Sequence, residues 1–82
     1  MGEHLLTIHG HKVRGEDDRA NHGIQFLAYK QDEDTTRAML EQAEHEHEVD
    51  FEDDKGRKFS LVDGENGEFT VVAKEAEHGW FG

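Results

Sequence analysis

Two histidine pairs and one dense run of carboxylates are the side chains of this chain whose types and spacing could do chemistry. In His9-Gly10-His11 the imidazoles are two residues apart, which puts them on one face if the segment is a strand and makes half of a metal site. His4 or His22 could supply a third ligand, and zinc or another divalent ion is the cofactor such a set would take. His45-Glu46-His47 repeats the spacing, but residues two apart diverge on a helix, so that pair shares an ion only where the helix has ended. Lying among Glu44, Glu46 and Glu48 near a helix C-terminus, His45 and His47 would also welcome protons, as in a pH-responsive accessory protein. Protonating all seven histidines would move the formal charge from -11 to -4.

The carboxylates are concentrated in one place. Residues 32–54 hold eleven acids and a single cation, Arg37, whereas residues 1–31 and 55–82 are each near neutral. Asp34, Glu41, Glu44 and Glu48 fall on one side of an expected helix, and Asp50, Glu52 and Asp54 on the outer face of the strand after it. Together they would form one negative surface that docks onto a basic protein site, as a nucleic-acid mimic or an inhibitor of a nucleic-acid-binding protein does. The plain alternative is a solvated face that keeps a small protein soluble. A solvated face is the usual meaning of a charge run; the scarcity of interspersed cations raises the first reading above background, because it costs self-repulsion.

Other chemistries find little support. There is no cysteine, which removes disulfides, thiolate metal sites and cysteine nucleophiles. Asp50-x-Glu52-x-Asp54 and Asp63-x-Glu65-x-Gly67 resemble fragments of a calcium loop, but their sixth and twelfth positions lack the required Gly and Glu. The one serine, Ser60, has no nucleophile-elbow context, and no glycine-rich phosphate loop is present. A binding protein is expected, not an enzyme. A net charge of -11 opposes direct contact with nucleic acid or an anionic membrane, and with no leader-like or membrane-spanning run the expected location is the cytoplasm.

The elements that must carry these residues follow from periodicity. A first strand runs from Leu5 to Val13, with a bulge at Gly10. Ile24, Phe26 and Ala28 alternate with Gln25, Leu27 and Tyr29, which predicts a second strand antiparallel to the first. A helix follows over residues 33–47, begun by Asp32 or Asp34 and burying Thr36, Met39, Leu40, Ala43 and His47. Val49, Phe51 and Asp53 then face inward on a third strand. Strands around Phe59-Leu61 and over residues 69–74 complete the set, joined by the Asp63-Gly64 to Asn66-Gly67 turn.

The order ββαβββ predicts an α+β fold, a mostly antiparallel sheet with one helix packed across one face. At 82 residues the whole chain, 1–82, is expected to form one domain. Leu, Ile, Val and Phe supply only 17 residues, so the core is small. The tail, residues 75–82, either folds back over that core or offers Trp80 and Phe81 to a partner or a second copy of the chain.

Overall fold

The computed structural model describes residues 4–64 and 67–74. The chain begins with a hairpin, β1 (His4–Ile8) and β2 (His11–Gly15), followed by helix α1 (Asp18–Gln25), which runs on as a π-helical turn over Phe26–Lys30. Helix α2 (Glu33–Glu46) leads into β3 (Glu48–Glu52), β4 (Lys58–Asp63) and β5 (Phe69–Ala73). The five strands form one sheet in the order β1-β2-β5-β4-β3, antiparallel except where β2 and β5 run parallel. The expected class is borne out: an α+β fold with a mostly antiparallel sheet. Two helical segments pack on it where one was expected, α1 over β2 and β5, α2 over β3 and β4. Among the described residues no helix is long and apolar enough to cross a membrane.

The five strands are not assembled from the segments expected. The predicted first strand is two strands, folded back at His9 (φ 52°) and Gly10 (φ 84°). Two positive φ values in a two-residue loop are those of a type I′ turn, whose twist matches the flanking strands. Gly10 takes that conformation without strain, and His is among the residues that tolerate it. The predicted second strand, residues 24–29, is helical. Its alternation is overruled by the buried set Ala20, Gly23, Ile24 and Leu27, which recurs at three- and four-residue steps and makes a helical stripe. Asp17 starts α1 by accepting the Ala20 N–H at 2.9 Å, with Asp18 in the first turn at the positive end of the dipole.

Helix α2 matches its expected span closely. Asp32 caps it, accepting from the Thr35 N–H at 3.1 Å and the Thr35 hydroxyl at 2.8 Å. Thr36, Leu40 and Ala43 are buried beneath it, with Met39 half-buried. The Thr36 hydroxyl donates to the Leu27 carbonyl at 3.3 Å and accepts from the Gln31 amide at 3.0 Å, tying α2 to the end of the π turn. His47 departs from the expected buried stripe. It is the left-handed cap of α2 (φ 75°), exposed, with its N–H donated to the Ala43 carbonyl at 2.7 Å.

The core lies between the helices and one face of the sheet, where Val13, Leu61, Phe69 and Val71 meet Ile24, Leu27 and Leu40. Phe59 stands at its centre and stacks on Phe51, the ring centres 5.3 Å apart. Residues 65 and 66 of the predicted turn, and Trp80 and Phe81 of the tail, lie outside the described residues.

Candidate functional site

The type I′ turn changes what His9 and His11 can do. They are not alternate residues of one strand: His9 stands in the turn, while His11 opens β2 on the helix-facing side, its ring edge against Phe69 at 5.4 Å. Both nevertheless line one recess of about 240 Å³ between the hairpin and α2, whose other wall is Arg37, Leu40, Glu41 and Glu44. Two groups singled out separately in the sequence, the first histidine pair and the helix acids Glu41 and Glu44, thus share a groove. Among the described residues, no three His, Asp or Glu side chains are placed to hold a metal ion.

The acids divide into two sets. Asp34, Glu41 and Glu44 project from the exposed side of α2, above the sheet. In β3 the half-buried Val49 and Phe51 face the helices, so the exposed Glu48, Asp50 and Glu52 point to the opposite side of the sheet. Since β3 is an edge strand, the acidic region wraps around that edge and is not one flat surface.

The acids also differ in their partners. Asp50 accepts from Lys74 at 3.0 Å and from the Ser60 hydroxyl at 2.8 Å, and the Lys74 contact is the main reason its carboxyl is held below the usual Asp range. Asp54 has Lys30 at 3.6 Å. Arg37, the only cation of residues 32–54, is engaged one helical turn back by Glu33 at 2.7 Å. Among the described residues, Asp34, Glu41, Glu44, Glu48 and Glu52 have no ion-pair partner.

That imbalance predicts a salt response. Going from about 0.01 M to about 0.1 M NaCl shortens the screening length from about 30 Å to about 10 Å. Repulsion among the unpaired acids falls, and the urea midpoint of unfolding should rise while its slope stays constant. A flat or falling midpoint would mean that these acids do not repel one another appreciably in the folded chain.

One polar residue of consequence escaped the sequence reading. Asp53 was placed on the inner face of its strand, and its side chain is indeed only 1% exposed, but it serves as the hub of the β3–β4 turn. Its Oδ1 accepts the Lys55 and Arg57 N–H groups at 3.0 and 2.9 Å, and its Oδ2 accepts Arg57 Nε at 2.7 Å. The available signal was an Asp two and four residues ahead of backbone donors in a Gly-containing turn, a local hydrogen-bonding pattern typical of Asp. Lys30, Lys55 and Arg57, with the His22 ring, surround this hub in a second recess of about 250 Å³. Comparison of the chain with protein-family models, with curated proteins and with solved structures finds no match.

Proposed function

We propose that the chain is a non-enzymatic binding module of the cytoplasm that offers the acidic side of α2 and the adjoining start of β3 to a basic site on a protein partner. The observation that carries this reading is the set of unpaired acids Asp34, Glu41, Glu44, Glu48 and Glu52. Within the same stretch Asp50, Asp53 and Asp54 are matched to the chain's own cations or backbone donors. Leaving these five unmatched costs self-repulsion that an external cation would relieve. The recess beside Glu41 and Glu44 adds a shape to the charge, with carboxylates for the head of a Lys or Arg.

The test uses a fluorescent Lys/Arg-rich peptide as probe, titrated by anisotropy. The triple variant Glu41→Gln, Glu44→Gln, Glu48→Gln should bind at least about tenfold more weakly, a change of about 1.4 kcal/mol, with a shallower dependence on salt. A control triple of equal charge, Glu16→Gln, Asp18→Asn, Glu68→Gln, should stay within about threefold of the parent. Equal losses in both triples would show that net charge alone draws the probe, and the proposal would fail.

A further inference from the structure

The two edges of the sheet are built differently. Edge strand β3 carries Glu48, Asp50 and Glu52, and charges of this kind keep a second strand from adding to an edge. The other edge, β1, reads His-Leu-Leu-Thr-Ile and has neither a carboxylate nor a proline. Leu5 is 64% exposed and Leu6 is half-buried, one on each face of that edge. From His4 to Gly15 there is no acid, and Lys12 and Arg14 are both present; the carboxylate that reaches this edge is that of Asp18, against His4 at 2.9 Å, so the strand's own residues carry none of the chain's negative charge.

Register decides which backbone groups the edge offers. Ile8 and His11 close the two-residue turn as a hydrogen-bonded pair, so the alternate pairs Leu6 with Val13 and His4 with Gly15 are bonded as well. Leu5 and Thr7 belong to the non-bonded pairs, with Arg14 and Lys12, and their N–H and C=O groups point away from β2. Among the described residues no strand lies on that side.

We infer that β1 pairs antiparallel with β1 of a second copy of this chain, around a two-fold axis at Leu6. The arrangement is self-complementary: the outward groups of Leu5 in one copy meet those of Thr7 in the other, and the reverse, while Leu6 faces Leu6 across the axis. Two chains of net charge -11 repel, and of the two sheet edges this is the one remote from the β3 acids Glu48, Asp50 and Glu52. A dimer formed here leaves the two β3 edges free and sets Leu5, 64% exposed, beside Thr7 of the other copy.

Sedimentation equilibrium of the full chain in about 0.5 M NaCl, where the screening length is only a few Å, should show a monomer of 9.4 kDa in reversible equilibrium with a species of twice that mass, tightening as salt rises. Thr7→Pro removes an outward N–H that β2 does not use, and Leu5→Lys places a charge on the exposed edge; each should raise the dimer dissociation constant at least about tenfold. Thr7→Val keeps the N–H and should dimerise like the parent. Circular dichroism and the urea midpoint verify that each variant is folded. A chain that stays monomeric at about 1 mM, or a dimer indifferent to both edge variants but lost on Trp80→Ala, would overturn the inference.

Discussion

Asp53→Ala is expected to lower the unfolding free energy by about 2–4 kcal/mol at neutral pH, measured by urea denaturation. The size follows from what is left behind. The carboxylate is almost completely covered and accepts three hydrogen bonds, two from backbone N–H groups of the turn and one from the Arg57 guanidinium. Truncation strands the two N–H groups and removes the guanidinium's contact to the turn. Asp53→Asn is the informative partial variant, since its side-chain oxygen can still accept from the backbone while the ion pair is lost. It should cost less than the alanine, and Arg57→Ala should cost less again, because Arg57 is 41% exposed and solvent screens its contribution. Equal losses for Asp53→Ala and Arg57→Ala would mean that the ion pair, and not the turn, holds this corner together.

The same residue sets the acid response. Burial pushes the Asp53 carboxyl up, but the Arg57 N–H, the Arg57 side chain and the Lys55 N–H outweigh it and hold the folded value below the ordinary Asp range. Asp18 is shifted the same way chiefly by its hydrogen bond to His4, Asp32 by its bonds to Thr35, and Asp50 by Lys74. A group whose folded pKa is depressed stabilises fully above its unfolded pKa, and that stabilisation is lost as pH falls through the folded value. The contribution of these four acids is therefore intact above about pH 5, starts to fall as pH approaches the ordinary Asp value of about 4, and is lost as pH drops through their depressed folded values below that. Asp53→Asn should flatten the fall in stability across that interval relative to the parent.

What was legible in the sequence depended on whether the deciding interaction was local. Helix α2 could be read because its N-cap, first-turn acids and buried stripe all lie within one segment. β3, β4 and β5 likewise announced themselves by period-two patterns between turn residues. Residues 24–29 misled because a six-residue window of alternating apolar character hides a helical stripe that starts earlier, at Ala20 and Gly23, two small residues that count as apolar only when packed against something. The hairpin was missed because a His-Gly loop lacks the Asn or Asp that usually marks such a turn. In the candidate site, the membership of the acidic region was readable from charge density. Its division around the β3 edge, and the meeting of His9 and His11 with Glu41 and Glu44, depended on the sheet order and on how α2 lies across it.

Gly23 carries that lesson into energetics. A Cβ at this position would lie 2.9 and 3.0 Å from two ring atoms of Phe59 and 3.0 Å from a methyl of Val71, so the missing side chain is what lets α1 sit this close to the sheet. Gly23→Ala gains about 1 kcal/mol of helix propensity but forces a methyl against a ring that is fully buried and stacked on Phe51, an overpacking cost of about 1–3 kcal/mol. The ring has nowhere to move, so the sum should be destabilising. Phe59→Ala alone removes one of the two largest buried side chains of the core and should cost about 3–5 kcal/mol, a large share of the stability of a domain this size. Combined, the two changes should not add. With the ring gone, the methyl of Gly23→Ala enters the vacated space and keeps only its 3.0 Å approach to Val71, so the second substitution should cost less than it does in the parent. Phe59→Leu serves as the same background where the alanine leaves too little folded protein to measure, and Gly23→Ala should there cost less than in the parent. Strict additivity in the urea double-mutant cycle would refute the proposed contact between α1 and β4, and a smaller cost would locate the constraint in that ring.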